Sequence, residues 1–189
     1  SREAPSSTSA CGSRSSGARP ARSSTATVSE SARPVDQALV IDFDENVYML
    51  QDLTSDQTLL RKALEGTDAE GGTAFYDAIF AAYRRLREVE GRRAIVLLTD
   101  GADMNSRVTY QRVLELCRPR DIMIYSIGMG VTVLDTGVRG TLKQIAEDTG
   151  GKPYYPSSAE ELGEVYQLVA QDLQSQYLFT YSPTNRVLD

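Results

Sequence analysis

The run Ala94-Ile95-Val96-Leu97-Leu98 constrains this chain more than any other stretch. Five apolar residues in succession are too few for a globular helix and show no alternation. That is the pattern of a strand covered on both faces, as in a parallel sheet flanked by helices. Thr99-Asp100-Gly101 ends the run. A carboxylate therefore stands at the carboxyl end of a central strand, where open α/β sheets gather their ligands, with Gly101 read as the residue that lets the chain turn. Asp100 is accordingly the first candidate for chemistry, and its alternative role is to cap the turn into the next helix.

The flanking stretches repeat the theme. Ala38-Leu39-Val40-Ile41-Asp42-Phe43 reads as a second buried strand, with 46–50 as its antiparallel partner across the turn Asp44-Glu45-Asn46. Thr54-Ser55-Asp56-Gln57 offers a capping box for a helix through Leu64, with Leu59, Leu60, Ala63 and Leu64 inward and Gly66 closing it. Glu70-Gly71-Gly72 then delivers Thr73 to the head of a helix over 74–88, where Phe75, Ile79, Ala82, Leu86 and Val89 form one apolar stripe. A helix over 109–117 turns Val113, Leu114 and Cys117 inward. Cys117 is read as packing rather than reactive.

Residues 122–127 are another short apolar strand, and a loop opens at Gly128-Met129-Gly130 and reaches Gly140. Thr141 with Gln144 caps a helix to Thr149, which Gly150-Gly151 stops. After an extended piece over 152–156, Ser158 with Glu161 begins the last helix, through Gln174, with Leu162, Val165, Val169 and Leu173 inward. The alternating 177–181 reads as an edge strand or the start of a following module. Strands alternating with helices predict an α/β protein: a doubly wound, mostly parallel sheet with one antiparallel edge strand and helices on both faces.

Residues 1–33 are of another kind. Ser, Ala, Arg, Gly, Thr and Pro dominate, Val28 is the sole large aliphatic and there is no aromatic residue. Such a segment buries too little apolar surface to offset its ordering entropy and reads as disordered. The division expected is thus a low-complexity segment over 1–33, a folded domain over 34–176, and a carboxyl-terminal strand or new module over 177–189.

Charge narrows the chemistry. The formal net charge is −6; residues 1–33 hold five Arg against Glu3 and Glu30, or +3, which leaves −9 for the rest. An acidic domain argues against nucleic acid, whose phosphates call for clustered Lys and Arg, and suits a cation better. The chain has no His, which removes imidazole ligands and Ser-His-Asp catalysis together. Cys11 and Cys117 form no zinc pattern. No apolar run approaches the roughly 20 residues that span a bilayer. The opening residues lack the apolar core of a signal peptide, and without an initiator Met the chain reads as a fragment.

Three motifs in order carry a resemblance: Gly71-Gly72-Thr73-Ala74-Phe75-Tyr76-Asp77-Ala78, then Arg93 through Asp103 with Thr99-Asp100-Gly101 at its heart, then Tyr125-Ser126-Ile127-Gly128-Met129-Gly130. They resemble the von Willebrand factor A domain, closest to its bacterial group, whose domains also end much like Ser175-Gln176-Tyr177-Leu178. The resemblance spans about 34–183. It implies a Rossmann-like fold, no enzymatic activity, and a metal-ion-dependent adhesion site for Mg²⁺ or Mn²⁺ built from three loops. By that resemblance Thr73 is the second-loop ligand and Asp100 the third, while Asp77 and Asp103 hold loops by hydrogen bonds. Thr73 has the alternative role of helix cap. A hard cation takes such oxygen donors, and a water it keeps can give way to a partner's carboxylate. The partner implied is thus a protein offering an acidic side chain, and the location implied is extracytoplasmic, secreted or periplasmic.

One piece of the family pattern is absent. Its first loop, Asp-x-Ser-x-Ser after an apolar strand, has no counterpart before Pro34, where Asp does not occur and Ser6-Ser7-Thr8-Ser9 follows no strand. Thr73 and Asp100 alone offer one neutral and one charged donor, so metal binding is expected to be weak or absent. Two other readings stand beside this one. The first is a structural domain without a ligand. The second is a haloacid-dehalogenase-type phosphatase using Asp42 and Asp44, suggested by Val40-Ile41-Asp42-Phe43-Asp44 but short of room for its usual helix.

Overall fold

The computed structural model describes residues 24–26, 36–66 and 72–175. The expected extended run 177–181 lies outside them. Two three-stranded sheets form the frame, in the orders β1-β2-β3 and β4-β5-β6. β4 (Arg93–Thr99) and β5 (Ile122–Gly128) run parallel, with Ile95 opposite Ile124 and Val96 opposite Tyr125, and β6 (Pro153–Tyr154) continues the parallel ladder on β5. β2 (Ala38–Phe43) and β3 (Val47–Thr54) form the expected antiparallel hairpin. β3 continues four residues beyond the expected stretch, because Gln51 and Thr54 keep pairing through two register shifts where apolar alternation has ceased.

The low-complexity segment supplies a strand where none was expected. β1 (Ser24–Ala26) pairs antiparallel with β2, Thr25 opposite Ile41, and lies alongside β4. Pairing along an open edge draws on backbone N–H and C=O groups, so Ser-Thr-Ala can do it without an apolar signature. β2 consequently has antiparallel neighbours on both sides, one more than a single antiparallel edge strand provides.

Side chains of β4 and β5 alternate between two cores, as strands covered on both faces must. Ile95, Leu97, Ile122 and Ile124 meet α2 (Phe75–Leu86), α3 (Tyr110–Cys117) and α4 (Thr136–Asp148) on one face. Ile41 and Phe43 of β2 extend that core. Val96, Tyr125 and Ile127 meet Val165 and Val169 of α5 (Ala159–Ser175) on the other. α1 (Gln57–Glu65) closes over Val40 through Leu60, whereas Leu59, expected inward, is 45% exposed.

Caps differ from expectation in instructive ways. Asp56 caps α1, its Oδ1 accepting the N–H of Thr58 and Leu59, so the helix starts two residues past the expected Thr54 cap. α4 starts at Thr136, five residues before the expected Thr141, whose hydroxyl instead donates to the Gly137 carbonyl inside the helix. Leu142 and Ile145 pack inward with Val138 behind them, and that burial outweighs the cost of about 1 kcal/mol for each of Gly137 and Gly140 in a helix. Gly150, at φ +83°, and Gly151 end α4, their N–H groups returning to Glu147 and Ala146.

Candidate functional site

β4 ends at Thr99 and α2 begins at Phe75, so the loops around Thr73 and Asp100 share the carboxyl-terminal edge of the parallel strands. Thr73 is half-buried and Asp100 exposed. The Thr73 carbonyl accepts from Met104 N–H at 2.9 Å and Asn105 N–H at 3.1 Å, and Thr73 N–H donates to Asn105 Oδ1 at 3.2 Å. This clasp sets the Thr73 hydroxyl facing Gly101: a Cβ on Gly101 would lie 3.6 Å from Thr73 Oγ1. The hydroxyl thus stands beside the residue next to Asp100.

The alternative cap roles are not the ones taken. Ala74 occupies the cap position of α2 and makes no side-chain cap bond, while Thr109 caps the helix that follows Asp100. The chain turns out of β4 at Gly101 without a positive φ.

Asp77 and Asp103 hold the loops, as the resemblance implies. Asp77 accepts from the N–H of Arg107 at 3.1 Å and of Val108 at 2.8 Å. Asp103 accepts from Tyr76 N–H at 2.9 Å, and from Ser106 through its N–H and its hydroxyl. Ser106 Oγ also accepts the Asp77 backbone N–H at 3.0 Å and so ties the Asp103 carboxylate to the first turn of α2. Burial and then the Asp103 charge push the Tyr76 phenol up to about 12, which keeps it neutral beside this cluster.

Reading the residues alone passes over Asn105, Ser106 and Glu45. Asn105 and Ser106 close the loop onto α2, and the spacing Asp103-x-x-Ser106 is the signal that names the turn. Glu45, from the β2–β3 turn, lies against Gly72, its Cγ 3.2 Å from where a Cβ would stand. Asp42 and Asp44 sit otherwise than a phosphatase needs. Asp42 is 7% exposed within β2 with Oδ1 accepting Phe43 N–H, and Asp44 Oδ1 accepts Asn46 N–H in a tight turn into β3.

Thr73 and Asp100 are hard oxygen donors, the chemistry a Mg²⁺ or Mn²⁺ ion asks for. Asp77 and Asp103 have their carboxylates engaged by backbone N–H groups. Among the described residues, no group of three or more acidic or thiol side chains is placed to hold a metal. The donors fit in kind.

An α/β sheet with the Thr73 and Asp100 loops at its carboxyl edge defines the class. The sequence pattern of the von Willebrand factor type A domain matches residues 6–102, half of the chain, and the chain belongs to that family. The fold agrees. The von Willebrand factor domain of a type V pili tip protein from Porphyromonas gingivalis superposes with a TM-score of 0.63 at 11% identity, covering 76% of this chain and 82% of that one. The conserved hypothetical protein BatB from Bacteroides thetaiotaomicron gives 0.58 at 20% identity over the same shares. Proximal thread matrix protein 1 from the mussel byssus, described with a zinc-occupied metal-ion-dependent adhesion site, gives 0.60 at 23% identity, covering 71% of this chain and 34% of that one. An uncharacterised protein of Borreliella burgdorferi is 29% identical over 104 residues, 53% of this chain. The chain spans 30% of the length of that curated relative.

Proposed function

We propose that this chain is a non-enzymatic protein-binding module whose Thr73 and Asp100 would hold Mg²⁺ or Mn²⁺ weakly and present it to an acidic side chain of a partner protein. The Thr73 hydroxyl beside Gly101, the residue next to Asp100, supports this reading, because it sets the second-loop residue of the family pattern against the third loop. The neighbour described with zinc at the corresponding kind of site lends support from fold alone. One neutral and one charged donor compete poorly with the hydration shell of Mg²⁺, so affinity is expected to be low. By resemblance to its bacterial group, the domain works outside the cytoplasm. Cell fractionation tests that, and recovery solely with cytoplasmic proteins speaks against it.

Calorimetric titration with Mg²⁺ and Mn²⁺ tests the site itself. Weak binding that disappears in both Asp100→Ala and Thr73→Val supports it. Binding indifferent to both substitutions refutes it. Tight binding lost in Asp100→Ala would show that further donors complete the site.

A further inference from the structure

We propose that Asp100 is a site of spontaneous backbone isomerisation, at which the loop converts to isoaspartate and its acidic donor is displaced from the side chain onto Cα. Asp100-Gly101 is the one Asp-Gly pair in the chain. It lies in an irregular loop between β4 and α3, outside helix and strand, with Asp100 exposed. Gly101 has no Cβ to hinder approach of its nitrogen to the neighbouring carboxyl. The Gly101 N–H is held by a long bond, 3.3 Å to Thr99 Oγ1. The contrast with Asp103-Met104 in the same loop is direct. There the following residue carries a side chain and its N–H is held at 2.9 Å by the Thr73 carbonyl.

The step balances with water alone. The Gly101 nitrogen, giving up its proton, attacks Asp100 Cγ; a C–N bond forms, a carboxyl C–O bond breaks, and one water leaves to close a five-membered succinimide. One water then reopens the ring. Attack at Cγ restores aspartate. Attack at the main-chain carbonyl carbon gives isoaspartate, in which the chain runs through the side-chain carbon and the free carboxylate sits directly on Cα. Holding the reactants in one ring-forming unit is what makes the reaction unimolecular. The consequence for metal rests on the function proposed above; the isomerisation does not.

Glycine at 101 is not demanded by the backbone. Its φ is not positive, and an added Cβ would meet nothing nearer than Thr73 Oγ1 at an ordinary 3.6 Å. Gly101→Ala is therefore a fold-preserving control. The full chain is incubated warm at neutral pH, with chelator or with Mg²⁺, and isoaspartate is located by methyltransferase labelling and peptide mapping while circular dichroism follows the fold. The expected result is isoaspartate at 100 exceeding that at 103 by about tenfold or more, and falling about tenfold in Gly101→Ala. Asp100→Asn should reach the same succinimide faster with release of ammonia. No isoaspartate at 100 under chelator, or an unchanged rate in Gly101→Ala, overturns the proposal. Slowing by Mg²⁺ supports it together with the metal reading. Isomerisation indifferent to Mg²⁺ leaves it standing and removes the metal reading instead.

Discussion

At the scale of single residues, two glycines separate close approach to a side chain from close approach to backbone. A Cβ on Gly72 would lie 2.2 Å from Asn105 Oδ1, the end of a side chain that can swing away at the loss of one exposed hydrogen bond to Thr73. Gly72→Ala should thus cost about 1 kcal/mol. A Cβ on Gly151 would lie 2.0 Å from the Ile124 carbonyl oxygen in the middle of β5, which cannot move without breaking the ladder. Gly151→Ala should cost about 3 kcal/mol or more in urea unfolding. Equal losses for the two would contradict the distinction. Asp77→Ala should lose about 2 kcal/mol, since it strips the Arg107 and Val108 N–H groups of their acceptor. Should that variant unfold at the same urea concentration as its parent, Asp77 does not hold the loop. Asp100 was readable from sequence because its strand announces itself. Asn105 was not, because its contribution depends on a loop folding back across 32 residues to Thr73.

At the scale of elements, legibility followed the source of the stabilising energy. β2, β4 and β5 stood out because burial on both faces demands unbroken apolar runs, and α2 and α3 because their stripes face a sheet. The start of α4 was hidden by Gly137 and Gly140, whose local preference is overridden by tertiary packing. α5 is fastened by a polar tie that no periodicity displays. The Tyr125 hydroxyl donates to Asp172 Oδ2 at 2.8 Å, and Lys152 Nζ to Asp172 Oδ1 at 2.8 Å. The Lys152 hydrogen bond, with help from Tyr125, holds the Asp172 carboxyl below the usual carboxylate range. A carboxyl with a lowered native pKa stabilises the fold above its unfolded pKa near 4 and loses that contribution as pH falls through the native value. Asp172→Asn should therefore lower stability at neutral pH, flatten the acid limb of the stability curve and converge on wild type at low pH. An acid limb unchanged in slope would show that the tie contributes nothing measurable. The apolar side of α5 packs on the sheet through Val165 and Val169, and among the described residues no helix is long and apolar enough to cross a membrane.

At the scale of the whole molecule, the two three-stranded sheets meet where β1, paired to β2, lies alongside β4, and that central position is held by three small residues. That is why residue patterns could not find it: Ser-Thr-Ala forms no apolar run, and backbone pairing needs none. The core that results is closed enough to govern the chemistry of Cys117, which is wholly buried with Val113, Ile122 and Ile124 in the same cluster. Burial pushes its thiol up to about 12. An acid whose pKa is raised by folding contributes stability below the ordinary thiol range, and that contribution drains away as pH climbs from about 9 toward the native value. Since the thiolate is the nucleophile, native Cys117 at mildly alkaline pH should carry roughly a thousandfold less reactive species than an ordinary thiol. Iodoacetamide labelling followed by peptide mapping, which reads Cys11 separately, should find Cys117 protected in native buffer and modified promptly in urea. Labelling of Cys117 at an ordinary thiol rate, with the circular dichroism of the folded domain intact, would mean that the core on the α2, α3 and α4 face admits solvent. The packing that sets Thr73 beside Gly101 would then lose its foundation.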